Sequence, residues 1–485
     1  MGVRRQLPKK GIAMFYKLDG HSFGYQVLVL IQAYYPQRKY EWVDSVQNEG
    51  STIESGLRFC RFYENGVLIA EKTVELPVTS EKEQKKSLSA AIFLLLKEIT
   101  GIRLPWGTLS GIRPAKTAYV LFENAKSEDE VRRILGEEYF VQDDKISLSV
   151  QVASATKRIE QKIGPGKVSL YVGIPFCPSI CVYCSFTSFP LKGYDTLVEP
   201  YINALKKELE FIKSRGYSYD TVYIGGGTPT VLSVRQLDEV LCAVREVSGE
   251  VSEFTVEAGR PDTITAEKLQ AMRHHDVNRI SINPQTLNQK TLDLILRKHT
   301  VHQFYDAYDL AVSRGFRNIN VDLILALPGE RPDDVETTMR GIKKLSPGSV
   351  TVHNLAVKRG SFLHENFEKY YLANRDETEQ MLKIANQSCL AGGLKPYYMY
   401  KLKNMVGNLE NVGYCKPGFE GLYNVLSVEE RQTIISAGAG GATKLVNIEK
   451  QTIKRSFNVK NVGIYIEKID EMIERKRDFL KEGAV

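Results

Sequence analysis

The sequence is poor in the features that would assign it by bulk. It has seven cysteines and seven histidines in 485 residues. Four of those cysteines, Cys60, Cys242, Cys389 and Cys415, stand singly. No disulfide framework is expected, and each of the four reads as a small buried hydrophobe. No apolar run is long enough to span a bilayer. Residues 1–10 are basic but lack an apolar core followed by a cleavage site. Gln6 stands where a myristoylation motif would carry a hydroxyl. A cytoplasmic location is expected. Charge of one sign is barely in excess: 65 Lys and Arg against 58 Asp and Glu leave +7. Over this length that is no nucleic-acid footprint, and no nucleic-acid partner is expected. No internal repeat or low-complexity tract is present, and the C-terminal region has no His-rich tract. The length exceeds what one core holds, so two or three domains are expected.

The remaining three cysteines lie together. Cys177, Cys181 and Cys184 have the spacing C-x3-C-x2-C, in Leu170-Tyr-Val-Gly-Ile-Pro-Phe-Cys-Pro-Ser-Ile-Cys-Val-Tyr-Cys184. Thiolate sulfur suits iron–sulfur clusters, and three thiolates on one loop can hold three irons of a [4Fe–4S] cube. The fourth iron is then open, as metal positions are in catalytic sites. A structural zinc site wants four ligands in paired spacing, and no second Cys/His pair is nearby. The spacing therefore favours the cluster over zinc.

The chain changes rhythm near Gly164-Pro165-Gly166. Before it, residues 1–164 read as an N-terminal α+β extension. Strand-like alternation is predicted over 25–35 and 56–63, with a hairpin turn at Glu64-Asn65-Gly66. A helix is predicted over 81–100, opened by a capping box of Ser80 and Glu83. A further helical stretch is predicted over 128–163. After the boundary, apolar strand cores at 169–176, 221–225, 253–257, 279–283, 319–326 and 349–356 alternate with helical patterns such as 196–214, 233–247, 301–314 and 332–345. Repeated βα units with nearly continuous apolar strands imply an α/β fold with a parallel sheet. Six units predict a partial (β/α)6 barrel over 165–395, with chemistry on the loops after the strands. The three cysteines lie just after the first strand. Residues 396–485 form a C-terminal accessory region. Residues 396–400 could add a strand there, the glycine run 436–443 could approach a ligand closely, and 460–480 read as a charged amphipathic helix.

The second predicted strand ends in Tyr223-Ile-Gly-Gly-Gly-Thr-Pro-Thr230. Three consecutive glycines expose backbone groups with no side chains in the way, which suits a carboxylate or an amine. Their spacing is neither that of a dinucleotide site nor that of a P-loop.

The cysteine loop followed by Gly-Gly-Gly-Thr-Pro after the next strand resembles the radical S-adenosylmethionine (SAM) superfamily. That resemblance implies a [4Fe–4S] cluster on Cys177, Cys181 and Cys184, with SAM on the fourth iron and cleaved to a 5′-deoxyadenosyl radical. Residues 170–177 are further similar to the oxygen-independent coproporphyrinogen III oxidase family. By that likeness the SAM-binding set is Tyr171, Gly226, Gly227, Thr228, Glu257, Gln285, Arg297, Asp322 and Ala356. Carboxylates such as Glu257 and Asp322 can accept from hydroxyls or an amino group, and Arg297 can pair with a carboxylate. Segments at 104–107, 110–114 and 403–414 resemble the HemZ-like coproporphyrinogen dehydrogenase branch, which would cover nearly the whole chain.

The implied reaction is oxidative decarboxylation of coproporphyrinogen III to protoporphyrinogen IX. It implies a tetrapyrrole substrate, an electron donor such as flavodoxin or ferredoxin, and basic side chains for the carboxylates, with Arg260, Lys298 and Lys401 as candidates. His299 and His353 read as structural. An open partial barrel needs no second subunit, so a monomer is expected. One position departs from the oxidase pattern. Phe186 stands where the oxidases carry a further cysteine, and an aromatic residue there is also found in the related haem-chaperone branch. A haem-binding chaperone and a radical SAM enzyme acting on haem itself are therefore the alternative readings.

Overall fold

The computed structural model describes residues 13–35, 38–109, 113–124, 126–358, 360–401 and 409–481. Residues 110–112 and 402–408, which carry parts of the family-like segments, lie outside the described residues. The chain forms two compact units, Met1–Ala153 and Ser154–Val485.

The first unit holds a five-stranded sheet of β1 (Met14–Leu18), β2 (Tyr40–Trp42), β3 (Ser51–Ser55), β4 (Phe59–Glu64) and β5 (Val67–Thr73), in the order β2-β1-β3-β4-β5. Asn65 and Gly66 join β4 to β5 with φ of 49° and 79°. Two consecutive positive φ values are what an Asn-Gly hairpin turn requires. The helix Glu81–Thr100 starts at the Ser80–Glu83 capping box. One expectation fails: residues 25–35 are not a strand but lie in the helix Gly24–Tyr34. Its buried residues are Val27, Leu30, Ile31 and Tyr34. That i, i+3, i+4, i+7 spacing makes one helical face, and packing that face overrides the β-forming composition. Tyr34 is fixed there by a hydrogen bond from its hydroxyl to the Phe93 carbonyl, 3.2 Å long. The stretch predicted over 128–163 is two helices, Glu128–Glu137 and Asp143–Glu160.

The second unit is built on β6 (Val168–Ile174), β9 (Tyr219–Gly226), β10 (Glu253–Glu257), β11 (Arg279–Ser281), β12 (Asn318–Leu325) and β13 (Ser349–Asn354). The two-residue strands β7 (Phe176–Cys177) and β8 (Phe189–Pro190) form a small ladder between β6 and β9 in the chain. The six main strands pair parallel in sequence order, with helices between them. This is the partial (β/α)6 barrel that the βα rhythm predicts. Each strand is nearly continuous in burial, as strands covered on both faces are.

Residues beyond 394 extend the same sheet at both ends. β14 (Lys395–Tyr400) and β15 (Asn411–Cys415) continue it antiparallel beyond β13. β16 (Ile434–Ala437) pairs parallel with β6, and β17 (Ala442–Asn447) and β18 (Thr452–Phe457) follow antiparallel. The glycine run after β16 meets the protein's own first strand. A Cβ on Gly438 (φ 95°) would lie 2.5 Å from the Gly173 carbonyl oxygen, and one on Gly440 would lie 3.1 Å from Thr187 Oγ1. The run thus lets β16 close on β6 and the segment after it buttress the cysteine loop.

A buried ion pair ties this region down. Glu208, on the helix Val198–Lys213, accepts from Lys476 on the helix Ile469–Lys481. Glu208 also accepts from the Tyr465 hydroxyl, from Asn458 Nδ2 at 2.8 Å and from the Gly438 N–H at 2.8 Å. Among the described residues no helix is long and apolar enough to cross a membrane.

Candidate functional site

Strand geometry decides which side chains enter the barrel. Among the partly accessible positions in these otherwise buried strands are Tyr223 on β9, Glu257 at the end of β10, Asp322 and Ile324 on β12, and His353 on β13. All five line one cavity of about 530 Å³, which opens at the C-terminal strand ends. Parallel barrels place their active sites at that end.

The cysteine loop closes one side of the cavity. Its two ends are clamped where β7 pairs with β8, and the Leu191 N–H donates to the Cys177 carbonyl at 2.8 Å. Its middle is held from the neighbouring loops. The Val182 N–H donates to the Ile295 carbonyl at 3.1 Å, and the Leu363 N–H to the Val182 carbonyl at 2.8 Å. Arg260 is buried, paired with Asp262 through two 2.8 Å hydrogen bonds, and donates to Ser179 Oγ at 3.1 Å. All three thiols line the cavity. Burial pushes the Cys177 thiol up to about 11, against the Thr228 hydroxyl, with Cys184 and Cys181 adding to the rise. A metal that binds Cys177 must therefore displace the thiol proton. Among the described residues no three His, Cys, Asp or Glu side chains converge on one ion. A cube asks for no such convergence, since each cysteine binds its own iron.

The glycine motif abuts this loop. The Gly227 N–H donates to the Ile174 carbonyl and the Thr228 N–H to the Phe176 carbonyl, each at 2.8 Å. Of the glycine N–H groups expected to be exposed, that of Gly227 is therefore spent on the segment leading into the cysteine loop. A Cβ on Gly227 would lie 2.5 Å from the Phe176 carbonyl oxygen and 2.9 Å from Cys177 Sγ, so only glycine fits. Thr228 Oγ1 is 3.6 Å from Cys177 Sγ. A Cβ on Gly225 would strike Glu257 Oε2 at 2.8 Å.

Gly226, Gly227, Thr228, Glu257, Gln285, Arg297, Asp322 and Ala356 all belong to the cavity wall. Gln285 is held in a left-handed conformation (φ 70°) by hydrogen bonds with β12, and its buried Oε1 has no partner among the described residues. A strained residue with an orphaned acceptor in a cleft is poised for a ligand donor. Arg297 is buried and donates to the Gly259 carbonyl at 2.7 Å, to the Asn283 carbonyl and to Cys181 Sγ at 3.7 Å. Its Nε is buried and has no partner among the described residues. Tyr171 is not on the wall. Its ring stacks behind, 6.3 Å from both Tyr223 and Tyr423, which do line the cavity.

The far wall carries a polar network. The Tyr223 hydroxyl donates to Glu257. Asn320 donates to Asp322 at 2.7 Å, and His353 Nε2 is 3.8 Å from the same oxygen. The Tyr400 hydroxyl lies 3.1 Å from His353 Nδ1. Burial pushes Asp322 up, but His353, Asn320 and Thr351 outweigh it and hold the carboxyl low. Nothing in its own stretch of sequence marks His353 as more than a structural histidine. Its facing of Asp322 needs the register in which Ile324 pairs with His353. His299 is buried away from the cavity wall, neither ring nitrogen has a partner among the described residues, and burial keeps it neutral. Lys298 is exposed and Lys401 buried, and neither is on the wall. Tyr183, Asn283 and Tyr423 also line the cavity. Tyr183 was legible as a neighbour of the cysteines, whereas the other two required the fold.

Burial raises Glu257 to about 7, against the hydrogen bond from Tyr223, with the Asp322 charge adding to the rise and His353 opposing it. The unfolded carboxyl loses its proton near 4.5. Between those values the folded state holds more protons, so stability falls as pH rises from about 4.5 to about 7. Glu257→Gln is expected to flatten that decline in urea midpoints measured on the cluster-free protein. An unchanged slope would remove Glu257 as its source.

The donor set fits the cofactors of one protein class. The Radical SAM superfamily model matches residues 171–342. The chain is 38% identical, over 83% of its length and 82% of the relative's, to the oxygen-independent coproporphyrinogen-III oxidase-like protein HemZ of Bacillus subtilis. It is 30% identical to the heme chaperone HemW of the same organism, over 58% of this chain and 73% of that one. The solved coproporphyrinogen III oxidase HemN of Escherichia coli shares the fold, with a TM-score of 0.52 at 21% identity over 68% of this chain and 73% of that one. The protein belongs to the oxygen-independent coproporphyrinogen-III oxidase-like family of radical SAM proteins, whose cofactors are a [4Fe–4S] cluster and SAM.

Proposed function

We propose that this protein removes two propionate carboxyl groups from coproporphyrinogen III, giving protoporphyrinogen IX. What chiefly supports the reading is the single cavity in which the cysteine loop faces the Gly226–Thr228 turn and the ring of Glu257, Gln285 and Asp322. The likeness to HemZ over most of both chains points the same way.

On this reading Cys177, Cys181 and Cys184 hold the cluster. Gly226, Gly227 and Thr228 take the polar end of SAM, and Gln285, Asp322, Glu257, Arg297 and Ala356 take the rest, with Tyr171 supporting the wall through Tyr223. When bound, the two cofactors would supply hydrogen-atom abstraction at the β-carbon of a propionate, whose loss of CO2 and of one electron to an external one-electron acceptor would leave a vinyl group. The chain's own contribution is positional and electrostatic. Arg297 and Arg260 brace the cysteine loop from beneath. The Tyr223 and Tyr423 rings, backed by the stacked Tyr171 ring, make a rigid wall. Asp322, kept ionised beside His353, offers acceptors to hydroxyl or amino groups. A walled cavity of this kind keeps water from a reactive intermediate.

Phe186 in place of a further, fourth loop cysteine favours one other reading, a haem-binding chaperone using the same cofactors. An anaerobic assay decides between them. Reconstituted protein, SAM, a reductant and coproporphyrinogen III are expected to give 5′-deoxyadenosine and two successive losses of CO2 plus two hydrogens by mass spectrometry. Deoxyadenosine with an unchanged tetrapyrrole would overturn the decarboxylase and favour haem as ligand.

A further inference from the structure

Two side chains at the mouth of the cavity are left uncommitted by the fold. Phe186 follows the last cysteine by two residues and is 72% exposed, yet it forms part of the cavity wall. Lys358, in the segment after β13, places its ammonium 5.6 Å from the centre of the Phe186 ring and lines the same opening. Among the described residues no carboxylate pairs with that ammonium. Ile180, 36% exposed, borders the mouth from the other turn of the loop.

An exposed aromatic face beside a free cation complements one kind of ligand, a broad apolar body with an anionic arm. The volume argues the same way. A cavity of about 530 Å³ is the size that one medium-sized ligand fills. Its inner wall carries the residues assigned above to the cluster and SAM. A second, larger ligand must then extend to the opening, where Phe186 and Lys358 stand.

We propose that Phe186 and Lys358 form the tetrapyrrole-binding clamp of this site. The Phe186 ring takes a face of the macrocycle, and the Lys358 ammonium takes a propionate carboxylate. The clamp rests on the tetrapyrrole reading given above and assigns the position where the oxidase pattern has a cysteine to substrate binding. Lys358 serves both partners. Its ammonium stays over the ring while its outward hydrogens meet the carboxylate, and partial desolvation strengthens both contacts.

The test is a binding titration of the full-length, cluster-reconstituted protein with coproporphyrin III, the stable oxidised form of the macrocycle, read by Soret absorbance. Phe186→Ala and Lys358→Met are each expected to weaken binding about tenfold, the loss typical of one anchoring contact, while Phe186→Tyr restores it. With the tetramethyl ester, Phe186→Ala is still expected to weaken binding and Lys358→Met to have no effect, because the anionic arm is gone. Cluster absorbance and SAM affinity should be unchanged in every variant, which separates a clamp from a damaged loop. If wild type binds coproporphyrin III and both variants bind it equally, the clamp is overturned and the tetrapyrrole reading stands. If wild type binds neither coproporphyrin III nor haem, the tetrapyrrole reading itself falls, and the clamp with it.

Discussion

Cys181→Ser is expected to yield a folded chain without its cluster and without radical chemistry. Cys181 is 6% exposed and is the one thiol of the three that receives a guanidinium hydrogen bond, from Arg297 Nη1. Serine is nearly isosteric, and its hydroxyl can still accept from Arg297, so the loop keeps its brace. What it loses is the soft thiolate that iron–sulfur binding requires. Iron and sulfide should fall to background, together with the visible absorbance, and deoxyadenosine formation should fall below detection. The thermal midpoint of the cluster-free protein should match that of cluster-free wild type. A variant that still binds a full complement of iron would show that Cys181 is not a ligand.

The largest effect on stability is expected at Lys476. Its ammonium and the Glu208 carboxylate are 3% and 0% exposed. Lys476→Met keeps the volume but leaves a buried carboxylate with neutral donors only. Removing one partner of such a pair costs about 3–5 kcal/mol. For a unit of this size the thermal midpoint should fall on the order of 10 °C. Glu208→Gln combined with Lys476→Met should recover much of that loss, because the amide still accepts from Tyr465 and Gly438 without a stranded charge. Equal destabilisation in the single and double variants would place the effect in packing instead.

Most of the site was legible in the sequence where function forces local spacing. The cysteine loop, the glycine turn and the six apolar strand cores are contiguous signals, and the structure brings them to one end of one sheet. Gly227 is a clear instance, since the atoms that exclude a Cβ belong to the cysteine strand. Signals that depend on partners far along the chain were not legible. The run 25–35 has strand composition, and only its packing against the helix Glu81–Thr100 selects the helix. The glycines at 438–441 look like a ligand loop until Gly438 is found against Gly173. Tyr171 and His353 show the limit within the site. Which side chain faces the cavity and which stacks behind it is set by register and neighbouring rings, not by either residue's own surroundings in sequence.

The pairing of β16 with β6 also has a consequence for the order of assembly. The strand that leads into the cysteine loop hydrogen-bonds to β9 on one edge, but its other edge is completed only by residues 434–437. Ser169 bonds to Gln432, 263 residues further along the chain. Such long-range pairing is slow, and an unpaired edge invites association with other chains. On the ribosome, therefore, the cysteine loop stays attached to a half-finished strand until nearly the whole barrel has emerged. Metal delivery should follow the emergence of residues 434–437 rather than accompany synthesis of the cysteine loop, and nascent chains stalled before residue 434 should be the ones that demand chaperones.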